Sequence, residues 1–259
     1  MDAQSSSEAH THTPDQTRNE RNERFGRLRR LVRDDGRRQR LLFLASLVAL
    51  AVVCVLAGLA RLLTVLPLDV WFTRELQEHP RAFITQAMVV VSSFGYMPWL
   101  AVTLVGATLL VGVLLGWKDG AYLLLITALQ AIVNAGVKLV IGRPRPLDTL
   151  VDVFVPVHGN SFPSGHVMFY TVFFGFLFFL AWSRAPRSPL RVVALVICAG
   201  LVVLIGPSRI VLGAHWLSDV IAAYLLGLIL LAFAIEFYLR YLAPQNHTQQ
   251  GGLVQAHDR

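Results

Sequence analysis

The chain has 259 residues, of which 55% are hydrophobic and 15% charged, and its mean hydropathy is +0.57. A charged fraction so far below the ~25% of soluble domains excludes an ordinary soluble fold, although the length could hold one or two of them. The net charge of +7 raises nucleic acid as a partner, unless topology rather than a binding patch places the basic residues.

Residues 1–40 are polar, rich in Ser, Thr, Asn, Asp and Arg, and cannot bury enough apolar surface to order themselves. Ten arginines fall between Arg18 and Arg40. The segment is too long and too acidic for the charged start of a cleaved signal peptide, so the next apolar run reads as a retained anchor. Residues 41–60 carry no charge and are long enough to span a bilayer. Leu68 to Glu78 mixes apolar and charged residues and is expected in the interface. Residues 82–94 are too few to span and read as interfacial or re-entrant. Further spans are expected at 99–117, 120–141, 164–183 and 218–239, and at 192–206 if its flanks contribute. The expectation is an all-α polytopic membrane protein with six transmembrane helices, a membrane domain over 41–242 and disordered tails at 1–40 and 243–259.

Smaller features follow the same pass. Gly112 and Gly116 form a GxxxG pair, which would let helices approach closely or reflects only how common glycine is in spanning helices. The Phe-dense run at Phe173, Phe174, Phe176, Phe178 and Phe179 reads as lipid-facing packing. Cys54 and Cys198 sit in apolar runs and read as small buried hydrophobes, not a disulfide framework. No metal-ligand spacing occurs; His10 and His12 come closest, in a polar tail. With six spans and both termini inside, 16 of the 23 Lys and Arg fall on the inner side and seven on the outer. The positive-inside rule then makes the termini cytoplasmic and turns the loops 142–163 and 207–217 outward.

Three clusters lie at that outer face. The first is Lys138 followed by Gly142-Arg143-Pro144-Arg145-Pro146; the second is Pro163-Ser164-Gly165-His166, directly before a span. The third is Ser208-Arg209, then His215 and Asp219. Lys and Arg are fixed positive charges, and the planar fork of Arg matches phosphate oxygens. Ser164 and Gly165 stand where a helix begins, where backbone N–H groups and the helix dipole favour an anion. His215 and Asp219 are spaced i,i+4, which on a helix places them on one face, so the carboxylate can hold one ring nitrogen and free the other for attack. His166 remains as a proton donor. Anion cradle, oriented nucleophile and general acid together suffice for metal-free phosphoryl transfer, which rests on positioning and charge stabilisation.

These clusters resemble the three-part signature of the type-2 phosphatidic acid phosphatase family, which shares its core with vanadium haloperoxidases. The family patterns K-x6-RP, PSGH and SR-x5-H-x3-D are matched in order and spacing by Lys138 to Pro146, Pro163 to His166 and Ser208 to Asp219, and the resemblance covers about residues 60–240. It implies that Lys138, Arg145 and Arg209 bind phosphate oxygens, that Ser164 and Gly165 add donors, and that His215 attacks phosphorus to form a phosphohistidine. Asp219 would orient His215, His166 would protonate the leaving oxygen, and no metal or other cofactor would be needed. Arg143-Pro144 is a second RP pair, read as a neighbour or a substrate contact. The implied activity is hydrolysis of a lipid phosphate monoester or pyrophosphate, phosphatidate-like or polyprenyl, at the outer face of the inner membrane. A phosphatase or phosphotransferase acting on a soluble phosphate, and a non-catalytic binder or transporter, are the alternatives. The expected partners are the bilayer and a lipid phosphate, with no nucleic acid. The +7 then separates: the tail to residue 40 holds ten Arg against seven acids, and the remaining excess includes the three phosphate-binding cations.

Overall fold

The computed structural model describes Gly26 and residues 36–78 and 82–242. The expected tails, with His10 and His12, lie outside the described residues, except that residues 36–40 form the first turn of a helix rather than tail. Among the described residues the elements are α1 (Gly36–Leu62), α2 (Pro67–Gln77), α3 (Ala82–Ser93), α4 (Trp99–Leu114), α5 (Trp117–Ile141), α6 (Gly165–Arg184), α7 (Pro189–Val211) and α8 (Leu217–Phe237). A π-helical turn, Tyr238–Leu242, ends the series, and there is no strand.

Five helices, α1, α5, α6, α7 and α8 with its terminal turn, are long and apolar enough to cross a bilayer. The run expected as a further span at 99–117 forms α4, of 16 residues, or about 24 Å at 1.5 Å per residue, against a hydrocarbon core of about 30 Å. Gly116, at φ +132, breaks the chain between α4 and α5. The run at 192–206 lengthens at both ends into α7, of 23 residues. Ser188 caps it by accepting from the Arg191 N–H (3.2 Å), and Pro189 supplies a pre-set φ at the first position.

Pro207, inside α7, has no N–H to give to the Val203 carbonyl four residues back. The Tyr224 hydroxyl of α8 donates to that carbonyl (3.2 Å) and to that of Val202 (2.7 Å), and accepts from Gly206 N–H (3.0 Å). In hydrocarbon a freed backbone group must find such a partner.

One end of the bundle gathers the C-terminal ends of α1, α5 and α7 and the N-terminal ends of α4, α6 and α8. There the Arg61 guanidinium donates to Ile141 O (3.1 Å), Ser164 N–H donates to Asp219 O (3.2 Å), and Gly95 lies against His166. The opposite end is closed by a buried polar clamp. Tyr238 Oη donates to Asp119 (2.5 Å) and accepts from Arg184 (2.6 Å).

The centre of the bundle is α6. Phe173, Phe174, Phe176 and Phe179 are buried in the core, not lipid-facing as their hydropathy suggested. Phe169 and Phe173 stack at 5.0 Å, and Phe176 meets Tyr122 edge-on at 5.5 Å. Lipid is as apolar as a phenylalanine ring, so close packing rather than burial from water decides which helix face turns inward. Cys198 is buried as expected, but Cys54 is exposed on α1.

The helix approach expected at Gly112 and Gly116 is made instead by Gly112 with Gly120. A Cβ on Gly120 would stand 2.6 Å from Thr108 O and 3.1 Å from Gly112 N, both main-chain atoms that cannot yield cheaply. Gly136, on the same helix, has nothing within 4 Å of a Cβ. In detergent, Gly120→Ala should therefore lower the melting midpoint, by the equivalent of about 1–3 kcal/mol, whereas Gly136→Ala should leave it level or raise it.

Candidate active site

The site forms where α5 ends. Gly142 takes the left-handed conformation (φ +66) and its N–H closes on Lys138 O at 3.0 Å. Pro144 and Pro146 then keep the chain out of helix. The loop that follows is pinned by cations donating to its carbonyls. Lys138 Nζ donates to Asn160 O (2.6 Å) and Ser161 O (3.2 Å). Arg145 donates to Gly159 O (3.0 Å) and, across the site, to Ala214 O (2.8 Å).

The third cluster closes over this loop. Gly213, at φ +66, lets the turn after α7 pass against the loop; a Cβ there would lie 2.1 Å from Asp152 O. The sequence expectation that His215 and Asp219 share a helix face needs correction. His215 lies on the turn before α8, Trp216 is the N-cap, and Asp219 occupies the third helical position, where its Oδ2 accepts from Trp216 N–H (3.0 Å). His215 Nδ1 and Asp219 Oδ2 are 3.5 Å apart, beyond hydrogen-bond range. Ser161 Oγ bridges them: it donates to Asp219 Oδ2 and lies 3.3 Å from His215 Nδ1. The other ring nitrogen, Nε2, is 3.1 Å from Arg145 Nη1. Arginine has only donors, so Nε2 is the unprotonated nitrogen and Nδ1 carries the proton toward Ser161.

The second cluster faces the first. Ser164 is the N-cap of α6 and fully buried. Its backbone N–H, expected to be open to an anion, is taken by Asp219 O, but its Oγ has no partner. Gly165 opens the helix, in a place where a Cβ would lie 3.2 Å from Asn134 Oδ1. His166 sits edge-on to Tyr96, ring centroids 4.4 Å apart, within electrostatic reach of Lys138, Arg145, Arg209 and His215. Arg209 has no solvent exposure. One of its amino groups donates to Ser92 Oγ, and its guanidinium lies 5.2 Å from the Tyr96 ring. Gly95 is required beside His166, since a Cβ there would approach the ring to 2.2 Å.

Ser92, Gly95, Tyr96 and Ser161 are thus site residues outside the three clusters. No signal in the sequence marked Ser161 or the α3–α4 turn. Arg143 is the neighbour rather than the substrate contact: it is buried, with its amino groups on Asp69 and Asp219, each at 2.7 Å.

The buried polar atoms lacking a partner among the described residues include Tyr96 Oη, Ser164 Oγ, His166 Nε2, and Nε and Nη2 of Arg209. Such atoms are costly unless a ligand takes them up. Among the described residues Lys138, Arg143, Arg145 and Arg209 meet only Asp69 and Asp219 as carboxylates, so with neutral histidines the cluster is two charges short of balance. A tetrahedral dianion supplies what the donors and the charge both lack. The pKa of His215 is held well below 6.5, chiefly by burial and then by the positive charges of Arg145, Arg209 and Lys138. Burial and then Arg209 lower that of Arg145, with Asp219 and Tyr96 opposing.

Bundle and cluster together define a helical membrane protein with a buried cationic site at one end. Residues 119–242, which hold all three clusters, match the family model of the PAP2 superfamily. Phosphatidylglycerophosphatase B of Bacillus subtilis is 33% identical over 115 residues, covering 43% of this chain and 54% of the relative. Lipid A 1-phosphatase of Rhizobium johnstonii is 34% identical over 116 residues, covering 42% and 43%. The chain thus spans about half the length of the curated relatives it matches. The crystal structure of a transmembrane PAP2 type phosphatidylglycerolphosphate phosphatase from Bacillus subtilis superposes with a TM-score of 0.65, over 74% of this chain and 94% of that one. At 24% identity the likeness is one of fold.

Inorganic phosphate should raise the melting midpoint of the purified protein, by the equivalent of about 2.7 kcal/mol at 100 times its dissociation constant. Arg209→Gln should abolish the increment.

Proposed function

We propose that this membrane protein is a hydrolase of lipid phosphate monoesters or pyrophosphates, acting through His215. The observation that carries the reading is Nε2 of a buried neutral imidazole facing a cluster of cations and unpartnered donors two charges short of balance. In the proposed reaction Lys138, Arg145 and Arg209 take the phosphoryl oxygens, with Ser164 Oγ and the open N–H groups at the start of α6 as further donors. Binding of the dianion balances the cluster and lets His166 take up a proton; the His215 Nε2 lone pair then forms a bond to phosphorus as the bond to the leaving oxygen breaks, and the protonated His166 gives that oxygen its proton from Nε2. Asp219, through Ser161, supports the positive charge on the His215 ring. His166, now neutral, takes a proton from water as that water attacks phosphorus and frees Nε2, releasing inorganic phosphate.

A lipid substrate is favoured by what lies beneath the site. A cleft of about 360 Å³ runs from Gly95 and His166 down between α4, α5 and α6, walled by Leu100, Leu104, Leu124 and Phe169. A headgroup in the cationic cluster leaves its tails in that direction. The named activities of the relatives, on phosphatidylglycerophosphate and lipid A, agree with this class. The excess of Lys and Arg on the other side of the bundle supports cytoplasmic termini and an outward-facing site in the inner membrane.

The test is phosphate release from phosphatidate, phosphatidylglycerol phosphate and a polyprenyl pyrophosphate in detergent, with and without EDTA. Release should persist in EDTA, since the cationic side chains carry the charge stabilisation. His215→Ala should lose about 10³-fold or more, and His166→Ala about 10²–10⁴-fold. Loss of activity in EDTA, or its retention in His215→Ala, would sink the mechanism, and stronger turnover of soluble phosphates would move the reading to a soluble substrate.

Attack needs neutral His215, and its folded-state pKa lies below the ordinary 6.5. The acid limb of a kcat/KM profile should accordingly fall below pH 6.5. A limb at or above 6.5 would contradict the assignment.

A further inference from the structure

Helix α2 is amphipathic in an unusual sense. Its buried face is polar, formed by Asp69, Thr73 and Gln77, while Leu68 and Trp71 point outward. The inward face meets the site from behind. Asp69 Oδ2 accepts from Arg143 Nη2 (2.7 Å) and from Ser218 Oγ (2.7 Å), and Oδ1 accepts from Ser218 N–H (2.9 Å). Arg143 Nη1 donates to Asp219 Oδ1 (2.7 Å) and to Ser218 Oγ (2.7 Å), and Nε donates to Thr64 O (3.1 Å). Asp69 and Arg143 are 2% and 1% exposed and Asp219 is fully buried, so none of these charges is shared with water.

From this connectivity we infer that Asp69 and Arg143 are positioning residues for the reaction, which together lock Asp219 and so set the orientation and charge environment of His215. The inference rests on the phosphatase reading of the same site. Asp219 has two oxygens with separate tasks. Oδ2 accepts from Ser161 and Trp216 N–H beside the His215 ring, and Oδ1 is occupied by Arg143. Arg143 fixes the carboxylate plane, because a guanidinium holds direction as well as charge. Asp69 balances Arg143, so that Asp219 keeps most of its negative field for the imidazole. The chain from His215 through Asp219 and Arg143 to Asp69 alternates in sign once the ring becomes positive, and thus favours the charge that develops during attack. His215 is also faced by Lys138 of α5, Arg145 of the loop, His166 of α6 and Arg209 of α7. None of these touches Asp219 Oδ1, so Arg143 and Asp69 act on the ring through Asp219.

The experiment compares Asp69→Asn, Arg143→Gln, Arg143→Lys and Asp219→Asn, and the double variant Arg143→Gln/Asp219→Asn, by phosphate release from phosphatidate in detergent across pH. A misplacement near 1 Å costs about 100-fold. Asp69→Asn and Arg143→Gln are expected to lose 10- to 100-fold in kcat, with KM within about threefold. Their acid limbs should move in opposite directions. Asp69→Asn leaves Arg143 unbalanced and shifts the limb to lower pH; Arg143→Gln removes a positive charge and shifts it to higher pH. Arg143→Lys should restore the pH limb but not the full kcat. In the Asp219→Asn background, adding Arg143→Gln should cost little more. The proposal is overturned by folded single variants with wild-type kcat and unshifted limbs, by limbs that move together, or by losses that multiply with Asp219→Asn. It is overturned too if neither Asp69→Asn nor Arg143→Lys folds, because the network is then a fold determinant only. No phosphate release from the wild-type chain would defeat the phosphatase reading itself, and this inference with it.

Discussion

The cations at the site end of the bundle are held by main-chain carbonyls and carboxylates, and the surrounding architecture follows from that need. Lys138, Arg143 and Arg145 donate to Asn160, Ser161, Thr64, Gly159 and Ala214 carbonyls, while Arg61 and Arg74 hold Ile141 and Leu150. The exchange works in both directions. A loop without regular structure has carbonyls that must be satisfied where water is scarce, and a guanidinium or ammonium taken from water needs acceptors. The long irregular segment between α5 and α6 is therefore tied at several points by the charges it surrounds.

The same accounting gives the site its chemical bias. Carbonyls solvate a cation without cancelling its charge, and among the described residues only two carboxylates, both on Arg143, enter the cluster. Positive charge thus remains on the side that faces His215 and His166. It favours an anion and keeps His215 neutral in its absence, because burial and neighbouring cations oppose a proton on the ring. A neutral His215 and an uncompensated cationic cluster are two consequences of one electrostatic arrangement.

The helices that bring these groups together are aligned by devices of another kind. Gly112 and Gly120 let α4 lie close on α5, and Gly95 leaves room for His166. Tyr224 takes up the carbonyl freed by Pro207 just before Ser208 and Arg209. At the far end, the Asp119–Tyr238–Arg184 clamp fixes α5, α6 and the end of α8 relative to one another. The register of the bundle is thereby held at both ends.

Much of this was legible in the chain because it is local. A span is written in consecutive apolar residues, and the clusters that the fold gathers at one end lie in residues one turn or one loop apart, as in Pro163 to His166 or Ser208 to Asp219. The ends of α7 were understated because capping by Ser188 and Pro189 extends a helix beyond its apolar run. The inward face of α6 was misjudged because hydropathy does not separate lipid from protein core. Asp69, Ser92, Tyr96 and Ser161 bear no local mark. They reach the site only because α2, the α3–α4 turn and the loop before α6 pack across it, and contacts between segments some 50 to 150 residues apart follow from packing geometry rather than from any spacing along the chain.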